Sequence, residues 1–122
     1  MEIKNKIKEL TKDIYSDVVS YRRQIHQNPE LAFEENETAA FIASKLKEFN
    51  IPFTTGVAKT GIIALLEGKN PTKKVVGLRA DMDALPIHEA NDVPYRSKND
   101  GKMHACGHDV HTSSLLGVAR VL

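Results

Sequence analysis

The segment Met103-His104-Ala105-Cys106-Gly107-His108-Asp109-Val110-His111 gathers one thiol, three imidazoles and one carboxylate. Thiolates, neutral imidazoles and carboxylates are the ligand types of divalent transition metals, zinc being the common choice. Cys106 and His108 are two residues apart, a spacing that on a helix would point them to different faces. The pair therefore reads as a turn just ahead of a helix, where Gly107 lets the backbone fold and the two donors converge. His111, three residues beyond His108, shares a helical face with it. A second acidic group follows a short apolar run at Asp81-Met82-Asp83. In an extended chain Asp81 and Asp83 face opposite ways. One can then face the metal region while the other orients an imidazole, as carboxylates behind metal-bound histidines do. Read singly, the same residues are blander: a lone cysteine is commonly buried packing, and two aspartates can cap a turn.

The elements that position these groups follow from apolar spacing. Ile3, Ile7, Leu10, Ile14, Val18, Tyr21 and Ile25 recur every three or four residues, one stripe of a helix that Asn28-Pro29 ends. His26, near its end, reads as a cation at a helix C-terminus. A second helix is predicted from Glu35 or Asn36 up to Asn50, with Glu34, Glu35 and Glu37 as solvated charges and Phe41, Ile42, Leu46 and Phe49 inward. Leu31 and Phe33 anchor the connection between the two helices. Strands are expected at 51–55, 60–67 and 75–80, their continuous apolar runs fitting coverage on both sides. Residues 84–105 form a long excursion with little helix, in which His88 is an exposed loop residue. Residues 109–122 turn helical again, with Val110, Leu115, Val118, Ala119 and Leu122 for packing. The helix runs to an apolar end at Val121-Leu122, which suggests the front part of a longer protein.

Composition sets the outer limits. The chain has 122 residues, 41% of them hydrophobic and 27% charged, with a formal net charge of +1. This is enough apolar content for one core, and it argues against an extensive disordered tail. The near-neutral balance and lack of tryptophan leave no nucleic-acid platform, and no apolar run approaches a membrane span. A single cysteine fits a reducing, cytoplasmic setting. No glycine pattern suits a phosphate, and no nucleophile elbow is present.

The chain resembles the metal-dependent amidohydrolases that include hippurate hydrolase, N-acetyldiaminopimelate deacetylase and the auxin-conjugate hydrolases, within the aminoacylase and carboxypeptidase group of metallopeptidases. Four segments carry the likeness: RRQIHQNPELAFEENETA (22–39), TGIIALLEG (60–68), GLRADMDALPIHE (77–89) and GKMHACGHDVHTSSLLG (101–117). The resemblance implies an α/β fold, the first half of a three-layer zinc-peptidase-like catalytic domain with a mixed central sheet. It implies that residues 1–122 are the N-terminal portion of that domain. The rest of the domain, and an inserted domain that supports homodimerisation of the parent, would lie outside them.

By the same resemblance Cys106 and His108 are metal ligands in a two-ion centre of zinc, manganese, cobalt or nickel. The remaining ligands and a general-base glutamate are expected downstream. The wider group has histidine, one residue, then aspartate where this chain has Asp81 and Asp83. Asp83 is therefore implied as the orienting carboxylate of the catalytic set, and Asp81 is not assigned as a ligand. The implied reaction is hydrolysis of an amide joining an acyl group to an amino acid, with these residues alone inactive. Two other readings stand beside it. One is a cysteine hydrolase in which His104, His108 or His111 activates Cys106. The other is a non-catalytic metal-binding domain that closes a four-ligand site with Cys106, His108, His111 and Asp81.

Overall fold

The computed structural model describes residues 2–122. Three helices and one hairpin follow in the order α1 (Ile3–Gln27), α2 (Asn36–Glu48), β1 (Phe53–Val57), β2 (Gly61–Ala64) and α3 (His108–Val121). The class is α/β, as the resemblance implies, and the sheet among the described residues is two-stranded and antiparallel. Phe53 pairs with Ala64 and Thr54 with Ile63, and a bulge then shifts the register so that Val57 pairs with Gly61. Ala58 and Lys59 close the hairpin at φ 49° and 79°. Two successive left-handed residues give the turn a twist that matches the strands it joins.

The core lies where α1, α2 and α3 meet. Tyr21, Leu46, Ile51 and Leu116 are buried together, with Val18, Phe41, Ile42, Phe49 and Ala119 packed around them. The predicted stripe of α1 is thus used only in its second half, since Ile3 and Ile7 are exposed. Helix α3 approaches α1 closely at Gly117, where an added Cβ would stand 3.0 Å from Val18 Cγ2. A glycine here brings the helix backbone against the valine. At the end of α3, Arg120 Nη1 donates to Asp17 Oδ2 at 2.7 Å and to the Tyr21 hydroxyl at 3.1 Å.

Several expectations are corrected. The run 75–80 forms no strand, because none of its backbone groups finds a ladder partner among the described residues. Val75 is 86% exposed and Val76 78%. Strand formation needs a neighbour to receive its hydrogen bonds, so apolar content alone does not create it. Strand β1 is shifted by two residues relative to 51–55, and β2 is shorter than 60–67. Phe33 is exposed at φ 65°, so Leu31 alone anchors the connection, bridging to Ala84. On α3 the buried face is Asp109, Thr112, Ser113, Leu116 and Gly117, while Val110, Val118 and Leu122 are exposed.

The long excursion has neither helix nor strand, as expected, yet it is tied down. Ala84 N–H donates to Glu30 O, Lys98 N–H to Gln27 O, and Leu85 and Met103 exchange both backbone bonds. These bonds seat residues 84–105 against the end of α1 and deliver Cys106 to the start of α3.

Candidate metal centre and its buried support

Cys106 lies in a bend and Gly107 stands at φ 98° as the residue before α3, so the loop-to-helix turn read from the sequence is present. A left-handed residue at this point is inexpensive only for glycine. His108 opens the helix. Its Nδ1 lies 2.9 Å from Asp83 Oδ1 and 3.0 Å from the Asp83 carbonyl oxygen. Both partners are acceptors, so Nδ1 carries the hydrogen and Nε2 keeps a lone pair. Nε2 faces Asp81 Oδ2 at 3.4 Å. This is the arrangement in which a carboxylate fixes the tautomer and orientation of a metal-binding histidine.

His111 lies one turn further along α3 and stacks on His108, with ring centroids 5.5 Å apart. Its Nδ1 is 2.7 Å from Asp81 Oδ1. Thr112 Oγ1 donates to the Asp81 carbonyl at 2.7 Å, fixing that backbone. The hydrogen bond from His111 holds the Asp81 carboxyl below its usual range, against a smaller opposing effect of burial. Asp81, His108 and His111 each offer a ligand atom within 4.8 Å of the others. Two nitrogens and a carboxylate oxygen at this separation suit a divalent transition ion. Cys106 is an exposed free thiol outside this three-residue set. The sequence brought Cys106, His108 and Asp83 forward. The structure adds Asp81 and His111, which the sequence reading joined only in the non-catalytic alternative.

Beneath this surface lies a buried polar cluster that the sequence reading missed. His26 does not end α1 as a solvated cation. Its Nδ1 meets Asp109 Oδ2 at 2.8 Å and its Nε2 meets the Glu89 oxygens at 3.1 and 3.0 Å. Arg22 Nε donates to the same Asp109 oxygen at 2.9 Å. Asp109 is 0% exposed. Burial pushes the Glu89 carboxyl upward, but the hydrogen bonds from His26, Ser97 N–H and Asn91 outweigh it and hold the group below its ordinary range.

His104, also buried, lies 6.4 Å from His26 between ring centroids and meets no hydrogen-bond partner at either nitrogen. Burial lowers its proton affinity. Glu35, expected in water, is buried and accepts from Thr60 Oγ1 at 2.6 Å. The one available sequence signal for His26 was its spacing: it shares a helical face with Arg22, four residues earlier, next to the buried Ile25.

The fold has close counterparts. The Bacillus subtilis YXEP protein, described as a dinuclear metal binding peptidase from the M20 family, superposes with a TM-score of 0.86 at 44% identity, over 91% of this chain and 31% of that one. Hippurate hydrolase of Campylobacter jejuni is 50% identical over 90% of this chain and 28% of its own length. N-acyl-L-amino acid amidohydrolase of Geobacillus stearothermophilus is 47% identical over 97% of this chain and 32% of its own length. Residues 77–122 match the model of peptidase family M20/M25/M40. Over these residues the chain is similar to this family. The matched M20 segment holds Asp81, Asp83, Cys106, His108 and His111. The chain spans about a third of the length of the relatives it matches.

Proposed function

We propose that residues 1–122 are the N-terminal portion of the catalytic domain of a metal-dependent amidohydrolase that cleaves N-acyl amino acids. The observation that carries this reading is His108, whose Nδ1 is committed to Asp83 while Nε2 stays free beside Asp81 and His111. The names of the hippurate and N-acyl amino acid hydrolases support the substrate class. The dinuclear centre of the structural relative supports two divalent ions, drawn from zinc, manganese, cobalt or nickel. His108, with Cys106 and the donors of Asp81 and His111, would hold metal, and Asp83 would orient His108. Divalent ions at such a site acidify water and polarise a carbonyl.

The work of this chain is to hold ligands in place. Asp83 fixes the His108 tautomer, Thr112 fixes the Asp81 backbone, and the Gly107 turn sets Cys106 just ahead of α3. The general base and the remaining ligands are assigned to sequence beyond residue 122, as is an inserted domain that would pair two copies of the parent. The proposed setting is cytoplasmic. No helix among the described residues is long and apolar enough to cross a membrane.

The test compares the full-length parent with residues 1–122, each given zinc, manganese or cobalt, and follows release of glycine from hippurate. Turnover by the parent alone is expected. Turnover by residues 1–122 that survives purification and needs Cys106 would place the whole catalytic set here and overturn the division. A parent that turns over after complete chelation, but not after alkylation of Cys106, would replace the metal reading with the cysteine hydrolase.

A further inference from the structure

We infer that His26 is a positioning residue for the metal centre: it grips Asp109 and thereby sets the first turn of α3, which carries His108 and His111. This rests on the metal-centre reading above.

The first turn of α3 has no side-chain cap of its own, since Gly107 precedes it and makes no capping bond. From the side of α1 it is held by Asp109, the residue directly after His108. Asp109 is wholly buried, and its Oδ2 takes hydrogen bonds from His26 at 2.8 Å and Arg22 at 2.9 Å. Arg22 is partly exposed, whereas His26 is sealed in and covered by Tyr95, whose ring stands edge-on at 5.7 Å. The other side of the His26 ring is fixed by Glu89, itself held by Ser97 N–H at 2.7 Å and Asn91 Nδ2 at 3.2 Å. One imidazole thus joins the end of α1, the loop 84–105 and the start of α3.

Removing that ring would take one donor from each of two buried carboxylates, leaving Asp109 to Arg22 and Glu89 to Ser97 and Asn91. Buried charge that loses a partner is unfavourable, so the chain would move to hydrate or separate them. Asp109 is bonded to His108, and any shift of it displaces His108 and His111 together. Asp81 and Asp83 sit on a different segment, joined to the turn through His108, His111 and Thr112, so those bonds would be strained. The predicted loss is therefore in the mutual placement of ligands as well as in stability.

The test uses the full-length protein and cobalt(II), whose visible absorption reports ligand geometry without reference to turnover. His26→Ala is expected to weaken cobalt affinity by about tenfold, the scale seen when a supporting group behind a metal ligand is lost, and to shift the absorption bands. His26→Gln, which keeps a donor for one carboxylate, is expected to fall between His26→Ala and wild type, and it carries the test if His26→Ala does not fold. Leu46→Ala, which opens the α1–α2 core, should lower the melting temperature while leaving cobalt affinity and bands unchanged. Wild-type affinity and bands in the His26 variants overturn the role of His26 alone. Equal weakening by Leu46→Ala reduces that role to general stability and overturns it too. A wild-type protein that binds no cobalt overturns the metal-centre reading and this inference with it.

Discussion

Asp83 holds His108 twice, through its carboxylate at 2.9 Å and its own backbone carbonyl at 3.0 Å, both at the same ring nitrogen. The two bonds leave Nε2 as the outward donor and constrain ring rotation. A neighbour offering only its backbone carbonyl would hold the ring less firmly and leave Nδ1–H less polarised.

Asp83→Ala keeps the carbonyl contact and removes the carboxylate. Metal affinity of the full-length protein should fall by about 10–100-fold, the range for lost partners of metal-binding histidines. Competition with a chelator of known affinity measures it. Unchanged affinity would show that the backbone contact alone orients His108.

Cys106→Ser changes size little and should lower bound metal and amidohydrolase activity together. Elemental analysis of the variant beside His111→Ala separates two ligand sets. Full occupancy in Cys106→Ser with loss in His111→Ala would move the site onto Asp81, His108 and His111.

Glu89 ties stability to acid. Its carboxyl is held below the ordinary value of 4.5 because the hydrogen bonds from His26, Ser97 and Asn91 outweigh the opposing effect of burial. A carboxyl depressed in the folded state contributes stability that is present above its unfolded value. That contribution is lost as pH falls through the folded value. Urea midpoints should therefore drop below about pH 4.5, the range where an unfolded glutamate begins to bind its proton. In Glu89→Gln the midpoint should start lower and change less over the same range. Parallel acid limbs in the two proteins would remove Glu89 from the account.

Glu30 caps α2 from outside the helix. It accepts from Glu37 N–H at 3.0 Å, and from Thr38 N–H and Thr38 Oγ1 at 2.6 Å each. Glu35, at the usual capping position, makes no side-chain cap bond. Glu30→Ala should cost about 1–2 kcal/mol, the scale of a lost helix cap. Thermal unfolding checks it, and an unchanged midpoint would mean that water replaces Glu30 without loss.

What the sequence disclosed and what it hid divide along physical lines. The helix from Ile3 to Gln27 and the turn at Gly107 are local, set by periodicity and backbone sterics, and both are found as read, though only the second half of the apolar stripe is covered. The run 75–80 is also visibly apolar, but whether it pairs depends on a neighbour that its composition cannot name. His26, Glu35 and Glu89 look like surface charges because their partners lie far along the chain: Asp109, Thr60 and His26 itself. Such pairings carry no periodic signal. Cys106, His108 and Asp83 stood out because they crowd into two short motifs; the structure joins His108 to Asp83 and leaves Cys106 outside the three-residue set. The joining of Asp81 to His111 required the geometry of α3 against the segment after residue 80.

The bonds that seat α3 on α1 join residues very far apart in the chain, 83 positions from His26 to Asp109 and 103 from Asp17 to Arg120. Closing so large a loop is entropically slow, whereas α1, α2 and the hairpin form from near neighbours. During synthesis, at about 5–20 residues per second, α1 would leave the ribosome several seconds before α3 exists to cover it. Its buried face, with Tyr21, Ile25 and His26, must wait uncovered for that time. Among the described residues, the turn that carries His108 and His111 is then the last piece to be made, and it takes its place only when α1 and α3 meet.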